Sequence, residues 1–271
     1  MRLASTGSVL RPLPPSSSQA IPDMKAKRCV AGAALACALA ASASHATISL
    51  STTRVIFDGK NKESSVVVSN DGADALIQSW LDPLDDAANV QLPFAITPPL
   101  AKIGANQQQL LRVLYEGVGM PVERESAFWL NVQEIPQAAS NDNVLQLAVR
   151  QRIKVFYRPA GLGGDPLKAP LSLQWQLNQD AGKAMLRLTN PSPYHVTVVD
   201  AQLHAGTMAE AVIDAKMIAP GSTFTVPVKQ PVGHTAAPEL RYEVINDYGG
   251  RESYRVTLHG SQSSSPVAGG N

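Results

Sequence analysis

Cysteine, aromatic residues and long apolar runs are all scarce in this sequence. It has two cysteines, Cys29 and Cys37, and aromatic residues make up 5% of the chain. Both cysteines lie before residue 47, so a chain that begins there has no disulfide. After residue 46 no apolar run approaches the roughly 20 residues that a membrane-spanning helix needs. These absences exclude a disulfide-stapled scaffold and argue against membrane insertion.

Recognisable catalytic and metal-binding patterns are also missing. The sequence contains no nucleophile elbow of the G-x-S-x-G type. "GLGG" at 161–164 lacks the spacing of a dinucleotide-binding loop, and it fits a flexible hinge better. None of the histidines after residue 46 stands at metal-ligand spacing; they are His195, His204, His234 and His259. We therefore expect no enzymatic activity, no cofactor and no metal site.

The segment before residue 47 has the features of export. Residues 1–23 form a low-complexity extension, so Met24 is a plausible true start. Residues 24–46 begin with basic side chains, continue as a short apolar run and end in the small-residue pattern "SHA". This order is typical of a secretory signal peptide. It predicts cleavage after Ala46 and an exported protein, whereas the lipoprotein alternative on Cys37 lacks the usual leucine at position 34.

The rest of the chain alternates short β-rich runs with turn signals. Runs such as "SSVVVSN", "AFWLNVQEI" and "YHVTVVDAQL" are rich in Val, Thr and aromatic residues, which is typical of β-sandwiches. We predict an all-β protein with one sandwich over 47–158, a linker over 159–167 and a second sandwich over 168–261. The Ser- and Gly-rich residues 262–271 are predicted to be a disordered tail. Loss of residues 1–46 leaves the chain slightly acidic, which argues against nucleic-acid binding.

One stretch is too long for an ordinary strand. "VLQLAVRQRIKVFYRP" at 144–159 alternates an apolar face with a face that ends in cations. As a single strand it would span roughly 50 Å. The apolar face begins with Leu145, Leu147 and Val149. From these residues alone, the row either fills the core of its own domain or is offered to another molecule.

Several distinctive motifs follow one another along nearly all of the chain after residue 46. They are "TRVIF", "ITPPLAKIGANQQQLLRVLY" (96–115), "RESAFWLNVQEIP" (124–136), "IKVFYRP" (153–159), "NPSPYHVTV" (190–198) and "INDYGG" (245–250). In this order they resemble the periplasmic pilus (fimbrial) assembly chaperones. Each motif alone is weak, but the ordered set is specific.

The resemblance implies two immunoglobulin-like domains in an L-shaped arrangement and a non-enzymatic role. In such chaperones the apolar row, here Leu145, Leu147 and Val149, completes the fold of a pilin subunit that lacks one strand. Arg54 and Lys154 match the positions that hold the subunit's C-terminal carboxylate. The alternative for both cations is an ordinary exposed edge charge, as we also expect for Arg150 and Arg152.

The resemblance further implies an interdomain charge network of Glu125, Arg158 and Asp247. The short loop "QAASND" at 137–142 resembles that of the short-loop chaperones, which usually serve rod-like pili. The implied partners are pilin subunits and an outer-membrane usher, and the resemblance also admits a self-capping dimer of the free protein.

Two other function classes fit this sequence less well. An exported immunoglobulin-like adhesin or carbohydrate binder would present aromatic platforms on exposed loops, for which few aromatic residues are available. A periplasmic hydrolase would need a recognisable nucleophile. The acidic loop with Asp82, Asp85 and Asp86 could bind a cation, although a solvated loop fits its spacing better.

Overall fold

A computed structural model describes residues 48–85, 91–136, 148–180, 183–229 and 237–269. The first domain contains two sheets. One has the strand order β1-β3-β7-β5 and the other β2-β9-β8-β4-β6. The strands are β1 (Ile48–Leu50), β2 (Arg54–Asp58), β3 (Glu63–Asn70), β4 (Ala75–Pro83), β5 (Phe94–Thr97), β6 (Leu100–Ile103), β7 (Gln108–Tyr115), β8 (Ser126–Ile135) and β9 (Arg150–Arg158).

Period-two alternation in these strands builds the first core. In β9, Val155 and Tyr157 point inward and are buried, while Lys154 and Arg158 lie on the opposite face. Phe57 of β2 is fully buried and contacts Tyr157, with ring centroids 5.7 Å apart. The core therefore fixes which face of β2 and β9 carries the cations.

The second domain also contains two sheets, with orders β10-β11-β14 and β13-β12-β15-β16-β17. Their strands are β10 (Gln174–Asp180), β11 (Lys183–Thr189), β12 (Val196–Ala205), β13 (Met208–Ile218), β14 (Thr223–Val228), β15 (Glu239–Ile245), β16 (Arg251–Thr257) and β17 (Val267–Ala268). A short 3₁₀ helix, Ala169–Ser172, precedes β10. The predicted architecture of two immunoglobulin-like β-sandwiches is confirmed.

Within the described residues, the long stretch at 144–159 forms a strand over Arg150–Arg158. Val149 still joins the sheet, because its carbonyl accepts a hydrogen bond from Glu134 N–H at 3.0 Å. Leu145, Leu147 and the loop over 137–142 lie outside the described residues. The second half of the predicted apolar face, including Val155, fills the first domain's own core.

The linker and the tail are both held by contacts with the second domain. Tyr194 Oη donates a hydrogen bond to the carbonyl of Gly163 at 3.1 Å, within the predicted linker over 159–167. The tail over 262–271 is predicted to be disordered, but its described residues, 262–269, include several that pair with the second domain. Its backbone pairs with both sheets, and Val267–Ala268 form β17. The Ser- and Gly-rich composition predicts disorder. It cannot predict that two sheet edges, on β10 and β16, provide backbone hydrogen-bond partners for the tail.

Candidate functional site

Two cations are brought side by side where β2 and β9 meet. The two strands run parallel, and the pairing register places Arg54 opposite Lys154. Both side chains lie on the face opposite the core, because their neighbours Val55 and Val155 are buried inside. Strand pairing thus joins residues that are 100 positions apart in the sequence into one patch.

The pair lies beside aromatic rings, and the negative charges of Asp247 and Glu125 act on Arg54. The Arg54 guanidinium lies 5.9 Å from the ring centroid of Phe156, and the Lys154 ammonium lies 5.1 Å from that of Trp129. Arg54 Nη1 donates to the carbonyl of Ile245, in the second domain, at 3.3 Å. Arg54 Nε is buried without a hydrogen-bond partner. Within the described parts of the chain, neither cation forms an ion pair.

Burial lowers the pKa of both cations. For Arg54 the loss of solvent is the largest cause, and the negative charges of Asp247 and Glu125 oppose it. For Lys154 burial is again the largest cause, and the neighbouring positive charge of Arg54 lowers the pKa further. Two like charges held together in a partly dry site favour binding of an anion, since an anion would offset both effects.

Four residues further along β9, the positive charge of Arg158 is balanced by two carboxylates. Its Nε donates to Glu125 Oε2 at 2.7 Å, and its Nη1 and Nη2 donate to the two carboxylate oxygens of Asp247 at 2.7 and 2.8 Å. Burial alone would lower the pKa of Arg158, but the hydrogen bonds and charges of Asp247 and Glu125 raise it overall. The structure therefore brings Glu125, Arg158 and Asp247 together as a link between the two domains.

His195 completes this network and was missed at the level of sequence. Its backbone N–H and its Nδ1 both contact Glu125 Oε1, at 2.9 and 2.8 Å. The side chain is 6% exposed and the Glu125 side chain 1% exposed. Nothing local in "NPSPYHVTV" indicates a carboxylate partner 70 residues away.

The first part of β9 has one strand edge without a β2 partner. Arg150, Gln151, Arg152 and Ile153 pair with β8, whereas the ladder with β2 begins at Lys154. Val149 lies just before this segment and is 36% exposed. Within the described residues, a strand edge that does not pair with β2, with the partly exposed Val149 at its start, therefore leads directly to the Arg54–Lys154 pair.

Arg150 and Asp82 have structural partners. Arg150 Nε donates to Asn131 Oδ1 at 3.0 Å, and its Nη2 donates to Asp82 Oδ2 at 3.2 Å. Asp82 also accepts from Trp80 Nε1 at 3.0 Å, so it belongs to β4 and not to a solvated loop. Asp86 lies outside the described residues. Among the residues that the structure describes, no group of three or more His, Cys, Asp or Glu side chains could hold a metal ion.

Comparison with known proteins places the whole of this architecture in one family. A family model described as pili and flagellar-assembly chaperone, PapD N-terminal domain, matches residues 47–163. A second, described as pili assembly chaperone PapD, C-terminal domain, matches residues 168–256. Together the two matches span both sandwiches.

Individual relatives agree with this assignment. The probable fimbrial chaperone YadV of Escherichia coli strain K12 is 41% identical over 224 residues, which cover 79% of this chain and 91% of the relative. The crystal structure of the YadV chaperone has a TM-score of 0.67 at 39% identity, covering 79% of this chain and all of that one. The crystal structure of the periplasmic chaperone SfaE has a TM-score of 0.59 at 34% identity, covering 77% and 98%.

The two sandwiches and the two family matches thus define a two-domain chaperone with immunoglobulin-like domains. The chain belongs to the PapD family of pilus-assembly chaperones, which confirms the resemblance read from its motifs.

Proposed function

We propose that this protein is a periplasmic chaperone that captures pilin subunits by lending them a strand and passes them to an outer-membrane usher. The observation that carries the proposal is the Arg54–Lys154 pair at the end of an open strand edge. Family membership supports a role in pilus assembly, and the relatives are named as chaperones. The activity needs no chemistry at the site, only binding.

The cation pair suits a terminal carboxylate. A carboxylate offers two acceptor oxygens, and charge-assisted hydrogen bonds to them are short and strong. Arg54 still has a buried Nε without a partner, and Lys154 has three ammonium protons to donate. We therefore assign both residues to the anchor for the subunit's C-terminal carboxylate.

The open edge of β9 suits the segment of the subunit that precedes its carboxylate. Backbone N–H and C=O groups on this edge can pair with an added strand, and side chains on alternate positions can enter the subunit. Val149 is exposed in this way, and Leu145 and Leu147 continue the same row by sequence alternation. The anchor would fix the register, because a slip of one residue reverses the faces. In the absence of subunits, the same edge could support a self-capping dimer.

The proposed location in the periplasm requires export through a cleaved signal peptide. The family match begins at residue 47, directly after the predicted cleavage site at Ala46, and β1 begins at Ile48. No helix in the described part of the chain is long and apolar enough to cross a bilayer. N-terminal sequencing of the periplasmic protein tests this step, and we expect it to begin at Thr47.

The adhesin or carbohydrate-binder alternative finds little support at the outward-facing tryptophans. The Trp80 ring is covered by the Arg150 guanidinium at 4.9 Å from its centroid, and the Trp129 ring by that of Arg152 at 4.4 Å. Rings covered in this way do not offer an open face for stacking on a sugar.

The decisive experiment adds denatured pilin to the purified chaperone and measures the 1:1 complex by size-exclusion chromatography. The pilin is used with its natural C-terminus and with a few extra residues that displace the carboxylate. We expect capture of the natural form and strongly reduced capture of the extended form. Equal capture of both would refute the anchor, and no capture of either would refute the chaperone proposal.

A further inference from the structure

The last described segment of the chain pairs with both sheets of the second domain. We call this segment, Gly260–Gly269, the C-terminal strap. It leaves the end of β16 and first meets β10, where the carbonyl of Gly260 accepts a hydrogen bond from Leu177 N–H at 2.9 Å. Ser264 and Trp175 then exchange both of their backbone hydrogen bonds, each at 2.9 Å.

The strap next crosses to the opposite sheet. Pro266 is buried at this crossing, and Val267–Ala268 pair antiparallel with β16 as strand β17. Gly269 N–H donates to the carbonyl of Ser253 at 2.8 Å. Ten residues of a Ser- and Gly-rich tail therefore make backbone pairs with both sheets of one sandwich.

Both strands that the strap covers would otherwise be sheet edges. β10 is the terminal strand of its sheet, and β16 would be terminal without β17. Proteins usually protect such edges with charge, proline or a covering segment. β10 reads "QWQLNQD", which has no Lys, Arg or Pro and has its one charge at the last residue. This edge therefore depends on the strap for protection.

The uncovered edges would match those of a second copy of this chain. An antiparallel strand can pair with its own copy about a two-fold axis, which gives a self-complementary interface. If β16 paired in this way about Tyr254, Arg255 would face Ser253, and Arg251 would face Thr257 of the other copy. No like charges would be directly opposed in this pairing.

We propose that the C-terminal strap occupies, within its own molecule, two strand-accepting edges of the second domain, and that without it these edges pair with a second copy. The inference does not depend on pilin binding or on the first domain. It assigns a protective role to the residues that composition marks as a disordered tail.

Truncation tests the proposal directly. A chain that ends at His259 lacks the strap, and a control chain that ends at Gly269 keeps every paired residue. Sedimentation velocity over a range of concentrations should show self-association at least tenfold tighter for the first chain than for the control. A synthetic peptide of residues 260–269, added in excess, should reverse the association, whereas a scrambled peptide should not. Identical sedimentation of both chains would overturn the proposal.

A point substitution covers the case in which the truncated chain does not fold. Ser264→Pro removes the N–H that donates to Trp175 and leaves the chain length unchanged, and Ser265→Ala is the control at an exposed neighbour. We expect Ser264→Pro to speed hydrogen exchange at the Trp175 and Leu177 amides and to strengthen self-association. A Ser264→Pro protein with the exchange and sedimentation of the control would overturn the proposal.

Discussion

Strand β9 carries two cationic sites on one face, and they differ in how their charge is balanced. Arg158 contacts two carboxylates, with hydrogen bonds of 2.7 Å to each. Lys154, four residues earlier, lies next to another cation, Arg54, and neither forms an ion pair within the described residues. The pKa of Arg158 is raised by its partners, whereas the pKa of Lys154 is lowered by burial and by Arg54.

The difference separates a structural link from the proposed binding site. A buried charge that is fully paired has all its partners within the same protein. Its removal therefore leaves those partners as buried charges without a counter-charge. A half-buried cation without an anion has unused binding capacity and slightly destabilises the fold that holds it. The two sites should therefore respond in opposite ways to the same kind of substitution.

The largest expected effect is on stability at the compensated site. Arg158→Ala leaves the carboxylates of Glu125 and Asp247 without their cation, and Glu125 is almost completely buried. We expect the free energy of unfolding to fall by about 3–5 kcal/mol. Urea denaturation measures the change. Arg112→Ala is the control, because its ion pair with Glu63 is exposed and should contribute within about 0.5 kcal/mol. Equal losses in both variants would contradict the comparison.

The second effect is on binding at the uncompensated site. Arg54→Ala or Lys154→Ala should weaken pilin capture by about 1.5–3 kcal/mol, the typical value of a charge-assisted hydrogen bond. Neither substitution should lower the free energy of unfolding, because each removes a cation that burial disfavours. Titration of pilin against each variant, with urea denaturation alongside, measures both quantities. Variants that unfold more easily but capture pilin normally would reverse the assignment of the two sites.

The sequence predicts a site residue when the motif around that residue itself indicates its role. Glu125, Arg158 and Asp247 lie in separate motifs of the family resemblance, so their meeting is predicted without any structure. His195 contributes two contacts to the same carboxylate but lies in a motif whose pattern gives no hint of that partner. The role of such a residue depends on how the domains fold together.

The C-terminal strap cannot be predicted from the sequence either, because its contacts are also with residues far away in the chain. Its Ser- and Gly-rich composition provides little apolar area, so the usual signal for order is weak. Order comes from backbone hydrogen bonds to Trp175 and Ser253, on two different sheets. Backbone pairing of this kind depends on where sheet edges lie, and residue types in the tail do not encode that position.

A third prediction compares two valines on one face of the stretch that contains β9. Val149 is 36% exposed, whereas Val155 is fully buried in the first core. If Val149 belongs to the lent strand, Val149→Ala should weaken pilin capture by about 1 kcal/mol, roughly fivefold, and leave stability unchanged.

Val155→Ala is the matched substitution and should do the reverse. It should lower the free energy of unfolding by about 2 kcal/mol, because it leaves a cavity in the core. The comparison would be broken by a Val149→Ala protein that loses stability as Val155→Ala does.

The smallest expected effect is a pH dependence that arises from Lys154. Its pKa lies below the ordinary value of lysine because of burial and the charge of Arg54. A bound carboxylate favours the protonated amine, so capture should weaken as the pH rises from about 7 towards about 10. The free energy of unfolding of the free protein should instead increase as the pH rises. Between the lowered pKa of Lys154 in the native protein and the ordinary lysine pKa in the unfolded chain, the unfolded chain binds more protons, so the free energy of unfolding rises with pH. This contribution to stability is lost as the pH falls through the lowered pKa.

Lys154→Arg separates this group from every other one that titrates. A guanidinium keeps its charge throughout this range, so the variant should retain capture at the alkaline end, even if its different shape weakens binding overall. Capture by the wild type and the variant is measured at each pH and expressed relative to the value near neutrality. Parallel alkaline losses in the two proteins would assign the pH dependence to the pilin or to another group of the chaperone. A loss confined to the wild type would place it on the lysine beside Arg54.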